Sequence, residues 1–103
     1  MELEQTYLVE IFTAQEGKVE EVKQMLLRAA ELCGQVPGVH RAWVVQDQRD
    51  PSEMAFLLIG DAQRFADILQ GIAETEWHKE MALQAPKLHI EERKRMVTGL
   101  ALP

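Results

Sequence analysis

The chain contains no asparagine, one serine (Ser52), one tyrosine (Tyr7) and one cysteine (Cys33). Each scarcity removes a class of chemistry. A lone cysteine cannot form an internal disulfide, which fits a reducing cytoplasm. The only serine stands in a polar loop with no nucleophile elbow around it, so serine-based hydrolysis has no support. No apolar run reaches the roughly 18 to 20 residues of a membrane span, and the opening MELEQTYLVE lacks the regions of a signal peptide. Glycine-rich phosphate cradles are absent, which leaves flavin and nicotinamide cofactors without a site. Positive charge is short as well. The net charge is −6, and the one basic run, Arg93-Lys94-Arg95, is preceded by Glu91-Glu92, so a nucleic-acid partner is not expected. His40, His78 and His89 are scattered without metal-ligand spacing, and no metal is expected.

What is present fits one ordinary globular domain spanning residues 1–103, with 47% hydrophobic residues and enough chain for a single modest core. Gln5 to Thr13 alternates as a strand, with Tyr7, Val9 and Ile11 on one face and Leu8, Glu10 and Phe12 on the other. From Lys18 to Cys33 the period becomes helical through Val19, Val22, Leu26, Ala29, Ala30 and Cys33. Gly34 suits the C′ position, and Pro37-Gly38 stops the helix. Val39 to Gln46 reads as a second strand, joined by a polar loop containing Pro51 to a third, the apolar run Met54 to Ile59. Asp61 is placed to cap a helix with the stripe Phe65, Ile68, Leu69 and Ile72. Thr75 is placed to cap another that opens with Trp77 and His78 and is expected to end at Pro86. A charged last strand runs from about Lys87 to Val97.

The order β-α-β-β-α-β is that of an α+β, ferredoxin-like split βαβ fold: a four-stranded antiparallel sheet with the helices on one face. Helices cover only one face, yet the first and third strands are apolar on both. An exposed apolar face of this extent marks association, and two sheets packed across a two-fold axis would cover it. A homodimer is expected.

Several pieces carry a family resemblance in their order and spacing. They are the opening strand, the Gly17 turn, Pro37-Gly38 before strand two, and the Asp50-Pro51 hairpin. The FLLIGDAQRF passage from strand to helix and the Trp77-His78 segment complete the set. From Tyr7 to Val97 the chain resembles the antibiotic biosynthesis monooxygenase-like domains of the dimeric α+β barrel group. The resemblance implies a cleft between sheet and helices and a small, partly aromatic ligand. It also implies cofactor-independent oxygenation of a quinol or polyphenol. The alternative is a non-catalytic ligand-binding or regulatory barrel.

Such chemistry needs a dry, aromatic-lined pocket and a few polar groups that deprotonate the substrate and hold its anion. The candidates are His78 and Glu74 as catalytic groups, with His40 and Arg41 as polar substrate contacts. Phe12, Trp43, Phe56, Phe65 and Trp77 are candidate walls. Each has an ordinary reading beside it: His78 as a capping residue, Trp77 as packing, Arg41 as the partner of an acid across the hairpin, Glu10 as an ion-pair partner in a dimer interface. Two departures matter. Several oxygenases of the family use an Asn, which is absent here. Ile68 stands ten residues before His78, where the haem-degrading members carry Trp, which argues against haem degradation.

Overall fold

The strands form because β-branched and aromatic residues alternate, and the alternation decides what each face meets. The computed structural model describes residues 4–100, and the side chains of all of these except residues 89–92 and 100. In order the elements are β1 (Glu4–Ala14), α1 (Val19–Cys33), β2 (Val39–Gln46) and β3 (Glu53–Asp61). A single 3-10 turn (Ala62–Arg64) leads into α2 (Phe65–Ala73), followed by α3 (Glu76–Leu88) and β4 (His89–Leu100). The four strands make one sheet in the order β2-β3-β1-β4, with every adjacent pair antiparallel. This is the α+β, ferredoxin-like arrangement, with a third helix between α2 and the last strand.

The helices take the even-numbered face of β1 and β3. Leu8, Phe12 and Ala14 from β1 and Met54, Phe56 and Leu58 from β3 are buried there. Leu58 sits at the centre, paired with Leu8 on one side and Ala42 on the other. From α1 come Val22, Leu26, Ala30 and Cys33, and from α2 come Phe65, Ile68 and Ile72. Full burial of one such aliphatic side chain is worth about 1.5–3 kcal/mol, so this layer is what holds the helices on the sheet.

Among the described residues no helix covers the odd-numbered face. Tyr7, Val9 and Ile11 stand beside Ile59, Leu57 and Ala55 across the β1–β3 pairing. Tyr7 and Val45 are exposed. Arg93 reaches Glu53 at 2.8 Å.

Three local expectations change. Gly34 ends α1 in a right-handed conformation (φ −62°), and the left-handed glycines are Gly17 and Gly38. Pro86 does not end α3, which continues to Leu88. A proline so near a C-terminus removes only one helical hydrogen bond. The residue after β1 then holds the last turn: Gln15 donates from its backbone N–H to the Leu88 carbonyl (2.9 Å) and from its amide to the Pro86 carbonyl (3.3 Å). The last strand accordingly begins at His89 rather than near Lys87. Among the described residues no helix is long and apolar enough to cross a membrane.

Candidate functional site

Between the helix layer and the sheet lies a cavity of about 480 Å³. Its floor is the even face of the sheet, where Leu8, Glu10 and Phe12 of β1 stand beside Phe56 and Leu58 of β3. One wall is α1, through Met25, Leu26, Ala29 and Cys33. The other is formed by Leu69 and Ile72 of α2 and by Trp77, His78, Met81 and Ala85 of α3. Lys94 and Met96 of β4 close the edge beside β1.

Thr75 sets how α3 enters this wall. Its hydroxyl donates to the Ile72 carbonyl (2.6 Å) and accepts from the His78 backbone N–H (3.3 Å). One hydroxyl thus ties the last turn of α2 to the first turn of α3, as a helix cap does. Trp77 and His78 meet edge to face, with ring centroids 6.1 Å apart. Both are half-buried, and Trp77 packs against the core.

Four of the candidates read from the sequence meet in the cavity: Phe12, Phe56, Trp77 and His78. The structure does not bring the other five there. Glu74 is exposed at the end of α2, where its carboxylate accepts from the Gln70 amide (3.3 Å). Phe65 is buried in the core without lining the cavity. Arg41 and Trp43 pair with Ile59 and Leu57 on the odd face, away from the helices. The Arg41 guanidinium there lies 4.2 Å from the Trp43 ring centre, a cation–π contact. His40 falls at the irregularity between Val39 and Arg41 and shares a 3.2 Å hydrogen bond with the Gln5 amide.

The carboxylate that does line the cavity is Glu10 of β1, not Glu74. It faces the cavity rather than the uncovered sheet face, and Lys94, opposite it on β4, brings Nζ to 3.8 Å of Oε1. A carboxylate on an otherwise apolar strand face was the signal. The Cys33 thiol, also on the wall, is pushed up to about 11, mainly by burial and then by the negative charge of Glu10. That keeps it a neutral, unreactive thiol. Among the described residues no three of His, Cys, Asp and Glu gather to hold a metal ion. The side chain of His89 lies outside the described residues.

The chain superposes over nearly its whole length on several solved structures. The PA3566 protein of Pseudomonas aeruginosa matches with a TM-score of 0.84 at 18% identity, over 94% of this chain and 95% of that one. SnoaB of Streptomyces nogalater, a cofactor-independent oxygenase solved in a mutant form, matches with a TM-score of 0.75 at 17% identity, over 92% of each chain. A protein named antibiotic biosynthesis monooxygenase matches with a TM-score of 0.73 at 16% identity, over 95% of this chain and 99% of that one. The chain has the antibiotic biosynthesis monooxygenase-like fold. No protein-family profile and no curated protein sequence matches it.

Proposed function

We propose that the chain binds a small, partly aromatic molecule in the cavity between sheet and helices and acts on it as a cofactor-independent monooxygenase of quinols or polyphenols. The observation that carries this reading is the cavity itself: about 480 Å³, lined by Phe12, Phe56 and Trp77 together with His78. The size is within the usual range for small-molecule sites, and the lining is apolar with a few convergent polar groups. The fold shared with SnoaB adds support.

In this reading His78 removes a proton from a substrate hydroxyl, and the electron-rich anion reacts with dioxygen directly. A hydroquinone and one dioxygen give a hydroxyquinone and one water, so the substrate supplies every electron and no external reductant enters. The apolar walls exclude water from the anion and its products. The same proposal has the chain acting as a single cytoplasmic domain and as a homodimer joined through the uncovered sheet face.

The sparse polar lining favours a second reading, a ligand-binding or regulatory barrel without catalysis. Dioxygen consumption with a panel of hydroquinones separates the two. Uptake at one dioxygen per hydroxyquinone formed, lost in His78→Ala, supports the enzyme. Ligand binding without uptake supports the non-catalytic barrel.

A further inference from the structure

Glu10 is out of keeping with its strand face. Its neighbours there, Leu8 and Phe12, are 4% and 7% exposed, and Phe56 pairs with it on β3. An aliphatic residue would pack at this position without desolvating a charge. Instead the Glu10 side chain, only 18% exposed, lines the cavity with Lys94 Nζ 3.8 Å away on the more open side. Half-desolvated ion pairs add little stability over apolar residues of similar size. The pair with Lys94 is thus not by itself a stability reason for a carboxylate here. Its charge is also felt across the cavity, since it contributes to raising the Cys33 thiol on the α1 wall.

We propose that Glu10 is the specificity-determining residue of the cavity, accepting a hydrogen bond from the hydroxyl of a neutral, flat aromatic ligand and turning away ligands that present a carboxylate at that point. This rests on the reading that the cavity binds a small aromatic molecule. A hydroxyl donating to an ionised acceptor makes a stronger bond than one between neutral groups. A ligand carboxylate would face a like charge in a partly water-excluded space. Lys94, with Nζ 3.8 Å from the carboxylate, partly compensates the charge of Glu10. Met25, Met81 and Met96 on three different elements surround the remaining space with flexible, polarisable thioethers that adapt to a ring. The class selected is thus a phenol or naphthol rather than an aromatic acid.

Calorimetric titration of the whole chain with 2-naphthol, 2-methoxynaphthalene and 2-naphthoate tests this. The unaltered protein is expected to bind 2-naphthol roughly 10-fold or more tightly than the methyl ether, which cannot donate, and 2-naphthoate most weakly. In Glu10→Leu, 2-naphthol falls to the level of the ether while the ether's own affinity holds, which shows that the cavity is still formed. In Glu10→Gln, an acceptor remains without the charge, and 2-naphthoate gains affinity. The proposal is overturned if Glu10→Leu leaves the ratio of naphthol to ether unchanged. It is equally overturned if His78→Leu abolishes that ratio and Glu10→Leu does not, because the imidazole would then hold the hydroxyl. Equal binding of naphthol and ether by the unaltered protein removes the role of Glu10 but leaves the aromatic-binding cavity standing. Binding of neither removes both.

Discussion

Ile68 of α2 is seated so closely on Gly38 that a Cβ at residue 38 would lie 2.9 Å from its Cδ1. Gly38 also has φ +92°, a region that side chains of L-residues rarely enter. The turn into β2 and the seating of α2 therefore share one requirement. Gly38→Ala is expected to lower stability by roughly 2–3 kcal/mol, combining the backbone cost with displacement of Ile68, or by about 10–20 °C in Tm. Thermal unfolding by circular dichroism measures it, and a Tm within a few degrees of the unaltered protein would contradict the account.

Thr75 supports the cavity wall without lining it. Its hydroxyl links the Ile72 carbonyl to the His78 N–H, so Thr75→Ala removes the side-chain bond to each, while the Ile72 carbonyl keeps the backbone N–H of residue 75. The expected loss is about 1 kcal/mol of stability. Ligand affinity should fall further than that loss implies, since Trp77 and His78 occupy the turn that loosens. Thr75→Ser keeps the hydroxyl and should restore both. Unequal recovery by serine would mean that the methyl group, rather than the hydrogen bonds, holds the junction.

The strands, the first two helices and their order were legible because hydrophobic period changes cleanly between Thr13 and Val19 and again after Asp61. The face that meets the helices was not. Leu8 and Phe12 alternate with Val9 and Ile11, and equal apolarity on both sides leaves parity without a preference. Arg41 and Trp43 were candidates for the cavity for the same reason; register places them on the far face. Glu74 is one helical turn before His78 in sequence, but the break at Thr75 leaves it on α2 and outside the cavity. Glu10 was visible as an oddity. Its pairing with Lys94 depends on β4 returning beside β1, which no local pattern reveals.

Cys33 gives the stability curve a signature at alkaline pH. Its folded pKa of about 11 lies above the ordinary 9.0, so between these values the unfolded chain loses a proton that the folded chain keeps. Unfolding is then favoured as pH rises, and the stabilisation present below pH 9 is lost by up to roughly 2–3 kcal/mol on passing through pH 11. Other groups titrate in the same range, so the comparison is with Cys33→Ala, which should lack this part of the slope. Urea unfolding at pH 8 and pH 10.5 for both proteins measures the difference. Parallel pH dependence in the two would show that the thiol is not shielded as its burial implies.

Leu57 tests what covers the odd-numbered sheet face. It pairs with Val9 on β1 and with Trp43 on β2, which places it near the middle of that face and away from the helix-side core. In a homodimer joined through this face, a lysine at residue 57 would be desolvated beside its two-fold mate, a cost of several kcal/mol. In a monomer the same lysine would reach water and cost little. Leu57→Lys is therefore expected to sediment at 11.8 kDa while the unaltered chain sediments at twice that mass, with far-UV circular dichroism alike in both. The ion pair of Arg93 with Glu53 lies on the same face, so raising the salt concentration should weaken the dimer only modestly if apolar contact dominates. A single 11.8 kDa species for the unaltered chain at micromolar concentration would remove the dimer. It would leave the apolar face of Tyr7, Val9, Ile11, Leu57 and Ile59 to be explained by another partner.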